Sequence, residues 1–224
     1  MFPCDDEGYY CYDKDSHYVE TWKAMEKLVD SGKAKTIGLS NFNKTQISEI
    51  LSIPGLKYKP AVLQNESHPY LQEKDLRDFC RLSGIAFQAY SALGSADRPW
   101  LKEGSITSGP PTTGYEVLHH PTIKKLADKY GKTPANIVIR WHLQINGCLV
   151  CKSVTPSRIE ENFNVWDFQL TPEDMELFND LNVGWRHLMW AETSGHPDYP
   201  FKSELPFGYV LGKPGAGSSL GAKN

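Results

Sequence analysis

The sequence predicts an α/β fold built from repeated strand and helix units, and three observations support this. From Tyr18 onward, amphipathic stretches alternate with short apolar runs, a pattern typical of βα units rather than of all-α or all-β folds. Glycines and prolines stand between several of these stretches, as expected at turns. The chain has 224 residues, which is long enough to bury one substantial core.

The first helix and strand are predicted at residues 18–31 and 35–40. Trp22 and Met25 stand at helical spacing in the first stretch, and Gly32 stands where a glycine commonly ends a helix. The second stretch is short and reads KTIGLS. We therefore expect a helix that leads directly into a strand.

A second helix is predicted to run up to Leu51. Its apolar stripe contains Ile47 and Ile50, which are spaced for one face of a helix. Asn41 and Asn43 precede it, and each has a side chain that can accept a hydrogen bond from the first turn. The N-cap is predicted to be one of these two asparagines.

The middle of the chain predicts a strand at 61–67, a helix at 72–83 and a strand at 85–93. The buried side of this helix is expected to contain Leu76, Phe79, Cys80 and Leu82. Residues 94–114 are rich in Gly, Ser, Pro and Thr. Because a loop of this length in a compact domain usually has a function, we expect a flap that covers a ligand.

The last third of the chain predicts more units of the same kind. Helical periodicity at 122–144 is interrupted at 131–134, which predicts two short helices. A fourth strand is predicted at 148–153, followed by helices at 157–166 and 171–181; the last begins with a threonine cap, a proline and two acids. Four strands are half of the eight that a closed (β/α)8 barrel requires.

Composition excludes several classes of protein. Hydrophobic residues are 40%, charged residues 23% and the net charge is -3, so the chain has no bias toward nucleic acid or anionic membrane. No apolar run could span a bilayer and no secretory leader is recognised, so a cytoplasmic location is predicted. The five cysteines are odd in number, which favours reduced thiols. Cys148 and Cys151 are predicted to be ordinary strand residues.

Polar residues collect where the predicted strands end, which is where parallel barrels bind ligands. The residues at these ends are Ser40, Asn41, Gln64, Asn65, Glu66, Tyr90, Ser91, Lys152 and Ser153. The first three offer the donors and acceptors that an amide needs, and Tyr90 offers a flat face for stacking. At the fourth end, two cations and two hydroxyls meet a helix start, where backbone N–H groups favour phosphate. These are Lys152, Arg158, Ser153 and Thr155.

Each of these residues also has a simpler interpretation. Lys152 and Arg158 could belong to a solvated face or pair with carboxylates. Asn41 could serve only as a helix cap, and Tyr90 could be a core aromatic residue with a satisfied hydroxyl. Their occurrence together at successive strand ends favours a dinucleotide site, because independent structural residues have no reason to collect there.

Five stretches of the sequence resemble the aldo-keto reductase family. They are MEKLVDSGKAKTIGLSNF, PAVLQNESHPYL, AYSALGSADRPW, VCKSVTPSRIEEN and GHPDYPF. The resemblance covers about residues 18–201 and implies a (β/α)8 TIM barrel of the aldo-keto reductase type, of which only about the last four βα units are recognised. It also implies NADPH-dependent reduction of aldehydes and ketones to alcohols by direct hydride transfer, as in the NADP-dependent aldehyde reductases.

The resemblance implies a role for each cofactor-binding residue. Those implied for the nicotinamide are Ser40, Asn41, Gln64 and Tyr90, the last by stacking. Those implied along the pyrophosphate are Ser91, Leu93 and Ser95. Those implied around the 2′-phosphate of NADP are Lys152, Ser153, Val154, Thr155 and Arg158. Those implied near the adenine are Glu161 and Asn162.

The sequence also departs from the family pattern. Ala92 and Cys151 replace prolines that the family usually has, so two rigid φ angles are lost, while Ser67 replaces a frequent cysteine with an expected neutral effect. The family uses an Asp, Tyr, Lys and His tetrad, and nothing in residues 1–17 resembles the motifs that supply it. We therefore assign no catalytic residue and no metal ligand, and predict that the 224-residue chain is inactive or incomplete as given.

The chain is predicted to divide into four regions. They are an N-terminal remnant loop at 1–17, a partial NADP-binding (β/α) barrel at 18–183, a C-terminal substrate loop at 184–207 and a disordered tail at 208–224. The expected partner is a small-molecule carbonyl compound, with no nucleic acid and no membrane. Full-length members are expected to be monomers, whereas a half-barrel has open strand edges that allow self-association.

Two other functions stay open from the sequence. A non-catalytic NADP-binding or scaffold protein derived from the family would keep the cofactor residues without the chemistry. An unrelated phosphate-binding barrel enzyme would show no NADPH affinity and no preference for it over NADH.

Overall fold

A four-stranded parallel sheet forms the centre of the molecule. The computed structural model describes residues 3–13, 15–94, 116–190 and 193–205. Within them the strands lie side by side in chain order: β1 (Leu39–Ser40), β2 (Val62–Glu66), β3 (Ala86–Tyr90) and β4 (Cys148–Leu149). The predicted α/β fold of strand and helix units is confirmed, because helices follow every one of these strands.

The register places the carboxyl ends of the strands at one edge of the sheet. Ser40 lies opposite Gln64, and Glu66 lies opposite Tyr90. Backbone hydrogen bonds extend the pairing beyond the strand bounds, for example from Ala61 N to the Ile37 oxygen at 2.9 Å. The polar residues near the ends of β1, β2 and β3 therefore lie on the same side of the molecule.

Seven α-helices surround the sheet in the described residues. They are α1 (Tyr18–Asp30), α2 (Lys44–Leu51), α3 (Lys74–Leu82), α4 (Pro121–Tyr130), α5 (Pro134–Gln144), α6 (Pro156–Phe163) and α7 (Pro172–Glu176). Short 3-10 helices occur at Val117–His119, Asn179–Leu181 and Lys202–Glu204. The two short helices expected between residues 122 and 144 are α4 and α5, and they are separated by Gly131, which has a φ of +61°.

Side-chain caps explain where several helices begin. Asn43, rather than Asn41, caps α2: its side chain accepts from Gln46 N, and the Gln46 side chain accepts from Asn43 N, both at 3.0 Å. Thr171 caps α7 in the same reciprocal way with Asp174. Such capping boxes satisfy backbone donors that a helix start leaves unpaired.

Two large hydrophobic clusters hold the helices in place. The first joins α1, α2 and α3 to the strands and includes Trp22, Ile47 and Leu63. The second joins α4, α5 and α7 to one another and includes Ile137 and Phe178.

Some sequence-based expectations are wrong in detail. Leu82 is 78% exposed, although it was expected on the buried side of its helix; it lies in the last position of α3, where the helix has passed the sheet. Strand β4 ends at Leu149, so Cys148 is a strand residue whereas Cys151 is not. The flap expected at 94–114 lies almost wholly outside the described residues, and so does the tail expected at 208–224.

Helix α6 exposes an unusual number of apolar side chains. Ile159, Phe163 and the nearby Trp166 are 55%, 73% and 62% exposed, and none of the α6 residues is buried. The rings of Phe163 and Trp166 meet edge to face, with centroids 6.2 Å apart. This outward face contrasts with the fully buried stripes of α2 and α5.

The segment from residue 184 onward folds back over the strand ends. Trp185 is 1% exposed, and its backbone N donates to the Tyr70 oxygen at 3.0 Å. Side chains of α2 hold its far end, since Asn43 Nδ2 donates to the Pro200 oxygen at 3.0 Å and Gln46 Nε2 to the Asp198 oxygen at 2.6 Å. Residues that cap α2 therefore also anchor the C-terminal segment.

Candidate functional site

A cavity of about 750 Å³ opens beside the ends of β3 and β4. Its volume falls within the range of about 300–1,000 Å³ that is typical of small-molecule and cofactor sites. One wall consists of strand-end and α6 residues: Tyr90, Ser91, Ala92, Leu93, Val150, Cys151, Lys152, Ser153, Arg158, Glu161 and Asn162. The other wall consists of residues around the starts of α4 and α5: Leu118, His119, Lys124, Thr133, Pro134 and Ala135.

Tyr90 lies at the sheet end of this cavity. Its hydroxyl donates to Asn41 Oδ1 at 2.9 Å, which connects the cavity to the end of β1. Ser91, the next residue, has a φ of +53°, and Asn41 has a φ of +57°. Left-handed backbone at residues other than glycine costs about 1–3 kcal/mol and is concentrated at functional sites. Both strained residues belong to the predicted cofactor set.

Ser40 and Gln64 lie at the neighbouring strand ends. They are register partners, and the Gln64 side-chain amide donates to Gln88 Oε1. These two residues and Asn41 do not line the cavity itself. Of the three residues predicted to bind an amide, Asn41 is the one bonded to Tyr90, and the amide-binding role stays a prediction.

Lys152, Ser153 and Arg158 line the cavity where β4 leads into α6. Ser153 Oγ accepts from Thr155 N at 3.2 Å, which shapes the turn before the helix. Thr155 is the N-cap of α6 but makes no side-chain cap. The hydroxyl of Thr155 therefore does not satisfy the first turn of α6, which leaves N–H groups there that favour an anion.

Not every predicted residue lines the cavity. Val154 is 81% exposed, and neither Val154 nor Thr155 belongs to the cavity wall. Ser95 lies outside the described residues. Their roles stay predictions.

The α4 and α5 wall was not identified from the sequence. Asn136 fixes this wall to α6, because the Nδ2 group of this buried side chain donates to the backbone carbonyl oxygen of Glu161 at 2.7 Å. Neither Lys124 nor Thr133 stands at a strand end or in a recognisable motif. The only sequence signal for these two residues is the helical periodicity that predicted α4 and α5, and it does not show which side chains reach the cavity.

Cys151 lies directly before the predicted phosphate lysine and lines the cavity. Desolvation raises the pKa of its thiol to about 11. The thiol is therefore protonated at neutral pH, and a thiol is a much poorer nucleophile than a thiolate. The cysteine contributes to the cavity wall as a small uncharged side chain.

A buried carboxylate ties the C-terminal segment to β2; the sequence placed it among the polar strand-end residues but did not predict this role. Glu66 is fully buried; its Oε1 accepts from His187 N and its Oε2 from Leu188 N, both at 2.8 Å. Its Oε1 also lies 3.1 Å from Nε2 of the buried His68. Burial raises the carboxyl pKa, but the hydrogen bond and charge of His68, with the charges of His187 and Arg186, outweigh it and lower the pKa to about 2.

Glu66, His68 and His187 have ligand atoms within 4.8 Å of one another, as metal ligands would. Both carboxylate oxygens, however, already accept backbone N–H groups. A metal ion would have to compete with these bonds in a site without solvent access. We interpret the cluster as the anchor of the C-terminal segment.

The chain belongs to the aldo/keto reductase family. The profile of the Aldo/keto reductase family matches residues 9–183. Relatives in this family include enzymes named as reductases and one named as a dehydrogenase, so the family is one of oxidoreductases. The resemblance predicted from the five sequence stretches is confirmed, and so is the (β/α)8 type of fold.

Individual relatives cover most of this chain but only part of their own length. Aldo-keto reductase family 1 member A1 of Pongo abelii is 44% identical over 89% of this chain and 61% of its own. Estradiol 17 beta-dehydrogenase 5 of Mus musculus is 43% identical over 90% of this chain and 60% of its own. The solved aldose reductase of Schistosoma japonicum is 39% identical, with a TM-score of 0.76 over 91% of this chain and 60% of its own. The chain thus spans about 61% of the length of the curated relatives it matches.

None of the helices in the described ranges is both long enough and apolar enough to cross a membrane.

Proposed function

We propose that the protein to which this chain belongs is an NADPH-dependent reductase of aldehydes and ketones. One observation carries the proposal: Tyr90, Lys152 and Arg158 line a single cavity. An aromatic face and two cations in one cavity match a dinucleotide that has an aromatic amide at one end and a phosphorylated ribose at the other. When bound, the nicotinamide would supply the hydride that reduces a small carbonyl compound.

The proposed cofactor contacts follow the order of the strand ends. The nicotinamide would be held by Ser40, Asn41, Gln64 and Tyr90. The pyrophosphate would be held by Ser91, Leu93 and Ser95. The 2′-phosphate would be held by Lys152, Ser153, Val154, Thr155 and Arg158. The adenine would lie near Glu161 and Asn162.

The charges of the cavity support NADP rather than NAD. Lys152 and Arg158 are both permanently charged near neutral pH, and they flank the start of α6, where the helix dipole adds positive potential. NADPH has a phosphate on the adenosine ribose that NADH lacks. Charge-assisted hydrogen bonds from a guanidinium to that phosphate would be formed only by NADPH.

Chemistry on the bound substrate needs residues that we do not assign within this chain. The relatives are longer, and the chain spans about 61% of their length. We propose that the 224 residues given hold the cofactor but do not turn over an aldehyde by themselves. A non-catalytic NADP-binding protein would share this cavity and would differ in showing no turnover in its complete form. The cytoplasmic location stays a prediction.

Arg158→Ala tests the proposed cofactor site. NADPH and NADH are titrated against the wild type and the variant by isothermal calorimetry. We expect the NADPH Kd to rise about tenfold, as for loss of one charge-assisted contact, and the NADH Kd to change little. Arg81→Ala is the matched control, because Arg81 is an exposed arginine on α3 that pairs with Asp78 away from the cavity.

Two results would overturn the proposal. One is equal weakening of NADPH and NADH by Arg158→Ala, since a 2′-phosphate contact affects only NADPH. The other is a wild-type protein that binds neither nucleotide.

A further inference from the structure

The cavity contains a cation that neither the strand ends nor the family motifs indicate. Lys124 lies on α4 and contributes to the wall opposite Lys152 and Arg158. The next residue, Lys125, has the same charge and is also exposed, but it does not line the cavity. Two adjacent lysines on one helix therefore differ in whether they face the proposed cofactor.

The backbone of α4 fixes where Lys124 stands. The neighbouring Ile123 is fully buried and Leu126 is 2% exposed, so the helix is held firmly against the second hydrophobic cluster. Lys124 N donates to the His120 oxygen at 3.0 Å, which makes it part of the first turn. The lysine side chain can change rotamer, but its Cα stays at the rim of the cavity.

Other lysines nearby are occupied by carboxylates. Lys129 pairs with Asp174 and Lys132 pairs with Asp167, each at 2.7 Å. Among the residues that the structure describes, no ion pair involves Lys124. Its charge is therefore available to a ligand in the cavity.

The cavity wall as a whole is positive in a protein that is negative overall. Lys124, Lys152 and Arg158 provide three permanent cations, whereas Glu161 is the single carboxylate among the cavity residues described. The chain has a net charge of -3. A concentration of positive charge in a concave site raises the local concentration of anions.

We infer that Lys124 contacts a phosphate of the bound dinucleotide from the α4 side. This inference rests on the proposed cofactor site and adds a specificity residue to it. Helix α5 is bonded to α6 through Asn136 Nδ2 and the backbone oxygen of Glu161. Lys124 lines the same cavity as Lys152 and Arg158, so a phosphate bound there would be within the field of all three cations.

The test compares Lys124→Ala with Lys125→Ala, which removes the same charge from the next position. NADPH and NADH titrations are measured for both variants, together with Arg158→Ala, at low and physiological salt. Because Lys124 is exposed, we expect a loss of about two- to fivefold in NADPH affinity, reduced by salt. Lys125→Ala should leave the affinity at the wild-type value.

The comparison of the two nucleotides identifies the phosphate. A loss confined to NADPH assigns Lys124 to the 2′-phosphate, and an equal loss for NADH assigns it to the pyrophosphate; both results support the inference. Equal affinities for Lys124→Ala and Lys125→Ala, with a clear effect of Arg158→Ala, would overturn the inference and leave the cofactor site standing. Absence of NADPH binding to the wild type would overturn both.

Discussion

Replacing Glu66 with glutamine tests whether a buried charge anchors the C-terminal segment. Both carboxylate oxygens accept backbone N–H groups, from His187 and Leu188. A glutamine side chain has one oxygen and one NH2 group, so in either orientation one buried N–H faces another donor. An unsatisfied buried donor costs about 1–3 kcal/mol, and the remaining bonds lose their charge assistance.

The pKa of Glu66 gives a second estimate of the free energy that the charged carboxylate contributes to the fold. The carboxyl pKa falls from an ordinary 4.5 to about 2 in the folded protein. Because one pKa unit corresponds to about 1.4 kcal/mol, the charged form stabilises the fold by about 3 kcal/mol. A lowered folded-state pKa means that this contribution is complete above pH 4.5 and is lost as the pH falls toward 2.

Urea unfolding at pH 7, followed by circular dichroism, measures the change. We expect Glu66→Gln to lower the free energy of unfolding by about 2–4 kcal/mol, and the difference from wild type to shrink as the pH falls from 4.5 to 2. Glu160→Gln makes the same chemical change at an exposed position of α6 and should alter the stability by less than about 0.5 kcal/mol. A Glu66→Gln protein as stable as this control, or a difference independent of pH, would show that Glu66 does not anchor the segment through its charge.

Two further substitutions probe neighbouring parts of the fold. Asp174→Asn should lower the free energy of unfolding by about 1 kcal/mol at pH 7, because hydrogen bonds from the half-exposed Lys129 and from other groups outweigh burial and lower the Asp174 pKa to about 2; the difference should shrink in unfolding curves as the pH falls from 3.8 to 2. Gly94→Ala should destabilise by about 1–3 kcal/mol, since Gly94 has a φ of +84° and a Cβ there would lie 2.6 Å from Val117 Cγ2. Gly55→Ala is the control for Gly94→Ala, and both are measured by thermal unfolding. Gly55 has a φ of +74°, but no atom lies within 4 Å of an added Cβ. Equal losses of stability in the two variants would mean that the contact with Val117 is irrelevant.

Most of the helices could be predicted because their signals are local. The Thr171-Pro172 start of α7 and the glycine after α4 depend only on neighbouring residues. Strand lengths are different: the strand was predicted over residues 35–40, yet β1 is only Leu39–Ser40. The length of a strand depends on which backbone lies beside it, and this partner is distant in sequence.

Only part of the candidate site could be predicted from the sequence. Residues at strand ends, such as Tyr90 and Lys152, follow from the parallel sheet itself, which brings carboxyl ends together. Lys124 comes from a helix whose distance from β4 is set by packing of the second hydrophobic cluster. Glu66 stands among strand residues where a carboxylate has no local explanation, and its partners lie more than 120 positions later in the chain.

The outward aromatic face of α6 gives the protein a built-in optical probe. Trp166 is 62% exposed, which makes it the most accessible tryptophan among the described residues, whereas Trp22, Trp141 and Trp185 are at most 2% exposed. Acrylamide should therefore quench the fluorescence of Trp166 more readily than that of the buried tryptophans. Any polypeptide that comes to cover α6 should shield the indole and shift its emission to the blue, without a label.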